Sequence, residues 1–186
     1  MTIYSTTTQE GIDINNVFYL DTKSAPEYPA PPFLPGELAW GTDASEWIFS
    51  QATISIAPGS AVVFSAPAAG SWSVTLLTNT NGRTLYGAYV GITGGATGSV
   101  TVQAPSGTQT NSYFWVQRAG LAPSVLVGYN TITLNSTVAT SATAGQFGIN
   151  IAATTATING IVFSKTSGSA SSGPAVLNYP TVGIQN

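Results

Sequence analysis

From Glu46 onward the chain is written in short runs of Val, Ile, Thr and aromatic residues, separated by clusters of Gly, Pro, Asn and Ser. That rhythm restricts the possible folds more than any other feature. β-Branched and aromatic side chains suit a pleated, half-buried surface and the interrupting residues set turns, so the pattern reads as strands joined by turns, with no good helix. It predicts strands at 47–51, 61–65, 73–77, 85–92, 99–103, 113–118, 123–128, 131–134, 146–151, 160–164 and 175–179. The Ser, Thr and Ala stretch 137–144 reads equally as a loop or a weak strand. Strands at this spacing build an all-β antiparallel sandwich or barrel, and the alternation is too blurred by Thr, Ala and Gly to choose between them. Ala57-Pro58-Gly59-Ser60 and Asn81-Gly82 read as tight turns, because Pro presets φ and Gly or Asn accepts a positive φ. Segments 94–98, 104–107 and 167–173 read as longer exposed loops.

The first forty residues are different. Pro26, Pro29, Pro31, Pro32 and Pro35, with Tyr28, Phe33 and Leu34 between them, forbid helix and favour extended polyproline-like backbone. A flexible linker would be richer in Gly and Ser than in aromatics, so 1–40 reads as an extended docking arm and 41–186 as the β-rich body. Charge divides the chain in nearly the same place. All seven acidic residues lie in the first 46 positions against the single base Lys23, giving −6, and the remaining 140 residues carry only Arg83, Arg118 and Lys165, giving +3. Neighbouring copies could pair one part against the other. At 186 residues, the length fits one domain with an appended arm and is enough to bury roughly two thirds of the unfolded surface.

The composition excludes much chemistry. Cysteine and histidine are absent, which rules out disulfides, Cys- or His-based metal sites and a Ser-His-Asp triad. Beyond Glu46 the body holds no carboxylate, so a glycosidase-type pair would have to draw on Asp43 and Glu46, which read more simply as a turn carboxylate and an exposed strand-start residue. No Walker A pattern or G-x-S-x-G elbow occurs, and the glycines of 91–98 have turn spacing rather than dinucleotide-loop spacing. Asn135-Ser136-Thr137 fits a glycosylation sequon, a pattern too short to carry a role alone. Four scattered bases cannot form the positive stripe that phosphate neutralisation needs, so direct nucleic-acid binding is not expected. No leader or membrane-spanning stretch is evident, and synthesis in a cytoplasm is the expectation. With 6 % charged and 43 % apolar residues the chain is expected to fold and to pack into something larger. The reading is of a non-enzymatic protein without cofactor or metal.

Candidate contact residues follow from the aromatics. In the arm these are Pro26, Tyr28, Pro31, Phe33 and Leu34. In the body, Trp40 and Trp47 with Phe49, and Tyr113-Phe114-Trp115, form two clusters. Side chains alternate along a strand, so Tyr113 and Trp115 face one way and Phe114 the other. Either both faces lie inside one chain, or one face makes an oligomer interface, where aromatics are enriched. Arg118 ends the same strand and is expected to pair with an acidic residue of the lead segment.

Gly41-Thr42-Asp43-Ala44-Ser45-Glu46-Trp47-Ile48-Phe49-Ser50-Gln51-Ala52, followed by Ile56-Ala57-Pro58-Gly59 and a strand, resembles the opening of capsid decoration, or cement, proteins of tailed double-stranded DNA bacteriophages. Tyr113-Phe114-Trp115-Val116-Gln117-Arg118-Ala119-Gly120 resembles that family's aromatic-Trp-Val-Gln strand, and Ile158-Asn159-Gly160-Ile161-Val162-Phe163 its near-terminal strand. The resemblance covers most of the body after Gly41. It implies a β-rich, often trimeric virion protein on the outer capsid surface, bound to the major capsid protein of an HK97-type lattice and bracing adjacent capsomers. A fibre or receptor-binding module whose aromatics stack on host sugars is the alternative.

Overall fold

A computed structural model describes residues 18–21, 33–41, 44–52, 54–64, 72–85, 87–93, 109–149 and 155–183. The strands are β1 (Phe18–Asp21), β2 (Leu38–Trp40), β3 (Glu46–Ala52), β4 (Ala61–Phe64), β5 (Ser73–Leu76), β6 (Val90–Thr93), β7 (Gln109–Val127), β8 (Val138–Thr140), β9 (Phe147–Ile149), β10 (Ile158–Phe163) and β11 (Ser171–Val182). One short helix, α1 (Asn79–Thr84), stands between β5 and β6.

The fold is all-β, and of the two expected architectures it is the barrel. β7 pairs β6, β6 pairs β4, β4 pairs β5, β5 pairs β3, and β3 returns to β7, so five strands close a ring. The β3–β5 junction is parallel and the other four are antiparallel. Alternation then sorts the side chains. Ile48, Ala52, Val62, Phe64, Val74, Phe114 and Val116 form one buried cluster inside the ring. Trp47, Phe49, Tyr113 and Trp115 point out of it and form a second cluster with Ala39, under Phe18 and Phe33.

β7 is long enough to serve two layers. Past Arg118 it leaves the ring and pairs with β11, which pairs in turn with β10. This extension, with β8 and β9, encloses the largest core, including Val125, Val127, Ile132, Phe147, Ile158, Phe163 and Leu177. The outer faces of β4 and β6 supply Val63, Val90 and Ile92 to the same core. Strands buried on both faces lose the apolar/polar alternation of a half-exposed strand, which is why the sequence pattern is blurred.

Most predicted strands are present, with four differences. Segment 85–92 was expected as strand, and Asn81-Gly82 as a tight turn, but 79–84 is helical and strand begins only at Val90. A capping box decides it: the Asn81 N–H donates to Thr78 Oγ1 (3.1 Å) and the Thr78 N–H to Asn81 Oδ1 (2.7 Å). Gly82 is buried there against Thr140, where a Cβ would come within 2.6 Å of Thr140 Cγ2 and so would not fit. The separate strands 113–118 and 123–128 are one strand that bends at Gly120, whose φ is +87°. Only Ile132 of 131–134 pairs, in a single bridge to Ser167. Residues 171–173 belong to β11 rather than to a loop. The ambiguous 137–144 contains β8, and the 57–60 turn forms as expected, with Gly59 at φ +72° and Ser60 N–H donating to Ala57 O (3.3 Å).

β1 and β2, both inside the segment read as an arm, are hydrogen-bonded to β7 and β3 and so belong to the same sheet as the body. Pro26, Tyr28 and Pro31, like 94–98, 99–103 and 104–107, lie outside the described residues.

Candidate functional site

Glu46 opens β3 directly opposite Trp40 of β2 and Ala119 of β7. A register shift between Glu46 and Trp47 breaks the β3–β7 ladder at this point. The shift fits beside Gly120 because its α-carbon lies hard against the Ser45 backbone; a Cβ there would sit 2.6 Å from Ser45 Cα. Glu46 is thereby turned inward and is only 2 % exposed. This corrects its reading as an exposed strand-start residue. A carboxylate at that depth needs partners, and it has two. Arg118 donates from Nε to Oε1 at 3.0 Å and from Nη2 to the same oxygen, while the Tyr179 hydroxyl donates to Oε2 at 3.0 Å. Arg118 therefore pairs, as expected, with the last residue of the acidic lead segment.

The guanidinium is also stacked between rings: its carbon lies 5.7 Å from the Tyr89 ring centre and 5.6 Å from that of Tyr179. Tyr89 is placed by a bridge to Thr181, and Tyr179 sits at φ +48° where the β10–β11 register slips around Gly160. The hydrogen bond to Glu46 is the largest cause that pushes the Tyr179 hydroxyl up from 10.0, with burial and the Glu46 charge adding and Arg118 opposing. Four segments of chain thus converge on one ion pair whose outer wall is two half-exposed tyrosines. Chemically this is a clasp. Its carboxylate is occupied by a cation and a phenol, and among the described residues no group of three or more Asp and Glu could hold a metal. Asp43, the only other nominated carboxylate, lies outside the described residues.

The remaining candidates separate into buried and exposed sets. Trp115 is 1 % exposed, Tyr113 stacks on Phe49 (5.9 Å between centres, 12° between planes), and Trp47 Nε1 donates to Ser45 Oγ at 3.0 Å. All three are covered by their own chain, as in the first of the two alternatives that the sequence left open. Phe18 and Phe33 pack over the cluster, and Phe33 lies edge-on to Trp115 at 5.0 Å, to Phe49 at 5.5 Å and to Phe18 at 6.4 Å. Phe33 therefore docks, and what it docks on is its own body. Leu34 and Trp40 stay in solvent at 73 % and 52 % exposure.

Sequence reasoning missed Tyr89 and Tyr179 as partners of Arg118, and Leu121, Val162 and Val176 as exposed apolar positions. Nothing local marks them; their places depend on register slips in distant strands. No family model matches the chain, and no curated protein is significantly similar to it.

Proposed function

We propose that this protein is a non-enzymatic structural component of a phage virion, a decoration protein that binds the major capsid protein and braces neighbouring capsomers. The observation that carries the reading is how the chain spends its polar chemistry. Among the described residues the one buried carboxylate is closed inside the Glu46–Arg118–Tyr179 clasp, while large apolar side chains such as Leu34, Trp40, Tyr129 and Leu134 stand in solvent on a nearly uncharged molecule. Such a surface suits many weak contacts repeated over a lattice, where multivalency supplies affinity without strong single sites. Leu34 and Trp40 are the contact residues of choice, set close to the acidic residue Glu37. Self-association in the shell, as the resemblance to trimeric decoration proteins implies, belongs to the same proposal.

The test is sedimentation of the purified protein with capsids that lack it. Saturable binding that raises the temperature at which shells release DNA supports the reading, and absence of binding overturns it. Tyr129, one of the most exposed aromatics, favours a second reading as a sugar-binding virion module. Hits on a broad glycan array with no capsid binding would select it.

A further inference from the structure

Two dipeptides in this chain are alike in sequence and opposite in setting. Asn81-Gly82 and Asn159-Gly160 are its two Asn-Gly pairs, and each follows a β-branched residue, Thr80 in one case and Ile158 in the other. Asn-Gly is the pair most prone to spontaneous deamidation, because a residue without a Cβ leaves its amide nitrogen open to close approach. In that reaction the Gly nitrogen attacks Asn Cγ. The new N–Cγ bond closes a five-membered imide, the Cγ–Nδ2 bond breaks, and the amide proton leaves with Nδ2 as ammonia. Water then opens the imide at either of its two C–N bonds. One opening gives Asp on the original backbone, and the other gives isoAsp, whose backbone runs through the former side chain. Water is the only co-reactant.

At Asn81 the fold holds every reacting group. Gly82 N–H donates to Thr78 O at 2.9 Å. The carboxamide is turned back toward the preceding residues: Oδ1 accepts from Thr78 N–H at 2.7 Å, and Nδ2 donates to Leu76 O at 2.7 Å. Gly82 itself is packed against Thr140 and Ala156. Attack at this site therefore has to wait for a local opening of α1.

Asn159 lacks these restraints. It and Gly160 are both exposed. Among the described residues no hydrogen bond holds its carboxamide, so that group can turn toward the Gly160 nitrogen without breaking one. Gly160, at φ +77°, has no partner in the β10–β11 register, which slips between Asn159 and Ile161. We propose that Asn159 is a spontaneous deamidation site of the folded protein, and that the fold shields its twin at Asn81. The site is coupled to the clasp. Gly160 passes close against the slipped stretch of β11, where a Cβ would sit 2.5 Å from Asn178 O and 3.3 Å from Tyr179 O. An isoAsp at 159 lengthens the backbone at that crossing, and Tyr179 is the residue that reaches Glu46. The inference does not depend on a capsid partner.

Peptide mapping by mass spectrometry tests it on the full chain, incubated folded in mildly alkaline buffer. The expected result is conversion of Asn159 to Asp and isoAsp at least about tenfold faster than conversion of Asn81, the delay that a required local opening imposes. In concentrated urea the two rates converge, because only the similar local sequences then matter. Thr78→Val, which removes the acceptor of the Asn81 N–H, should speed Asn81 in the folded chain and leave Asn159 unchanged. The aged chain should unfold at lower urea, whereas Asn159→Gln, whose longer side chain closes an imide far more slowly, should keep its midpoint through the same incubation. Equal rates at the two sites in the folded chain, or an Asn159 that converts only in urea, would overturn the site. An aged chain with an unchanged midpoint would overturn its link to the clasp.

Discussion

Replacing Arg118 by Met keeps an unbranched side chain between the two tyrosine rings but removes the charge. Glu46, 2 % exposed, then loses the donors Nε and Nη2 and keeps only the Tyr179 hydroxyl. Stranding one member of a buried ion pair costs about 3–5 kcal/mol. Loss of the two cation–ring contacts adds about 0.5–1 kcal/mol each, part of which the thioether recovers on the same rings. The net expectation is about 4 kcal/mol, a large fraction of the stability of an ordinary domain. Glu46→Gln should cost less, because the Arg118 side chain is 13 % exposed and can turn its charge to water while the amide still accepts from Tyr179. The pair Glu46→Gln with Arg118→Met removes both charges and should recover most of the loss. Urea unfolding followed by the fluorescence of the four tryptophans measures all three, with unchanged m-values as the check that the compact states are comparable. A cost below about 1 kcal/mol for Arg118→Met, or a double variant as damaged as the two singles added together, would refute the claim that the clasp is a coupled, desolvated unit.

Gly120→Ala should cost about 2 kcal/mol or more in the same assay, because it combines a φ of +87° with a Cβ 2.6 Å from Ser45 Cα, and Ser45 lies beside Glu46. Trp115→Phe should be much milder than the ~3–5 kcal/mol of Trp115→Ala, since Trp115 Nε1 is buried without a hydrogen-bond partner and losing it relieves an unmet donor. Raising the pH tests Tyr179: its hydroxyl is held above 10.0 in the folded state, so its contribution is complete below pH 10 and lost as the pH climbs through the folded-state value. Tyr179→Phe should therefore flatten the alkaline fall in stability seen by chemical denaturation above pH 10.

How far this was legible in the sequence depends on how local each signal is. The turn at Pro58-Gly59 and the strands at Trp47 and Ala61 rest on neighbouring residues and were readable. The helix at 79–84 was not, because Asn-Gly favours hairpin turns and only the Thr78–Asn81 capping box, with room made by Thr140 for a bare glycine, tips it to helix. Gly120 looked like an end between two strands, whereas its positive φ lets a single strand pass from the ring to the second sheet. At the site, complementary charge pointed Arg118 at an acidic lead residue, but its identity as Glu46 and its tyrosine walls depend on register slips near Glu46 and Gly160 that no local pattern records. Trp47, Tyr113 and Trp115 drew attention for their size, and size alone does not distinguish a partner's pocket from the underside of the chain's own arm.

That last ambiguity decides how attachment should be tested. Deleting residues 1–35 would remove Phe18 and Phe33, the rings that cover Phe49 and Trp115, so any loss of capsid binding would be inseparable from loss of the fold. Phe33 and Leu34 are adjacent in the chain and opposite in role: one closes the aromatic cluster, the other stands in solvent. Phe33→Ser should lower stability by about 3 kcal/mol, as for other truncations of packed aromatics. Leu34→Ser with Trp40→Ser should lower the unfolding free energy by less than Phe33→Ser does, because Leu34 is 73 % and Trp40 52 % exposed. If the arm presents Leu34 and Trp40 to a capsid, occupancy in the sedimentation assay falls for this double variant. Full occupancy with both side chains gone would leave Phe33 a purely internal clamp and move attachment to another face of the molecule.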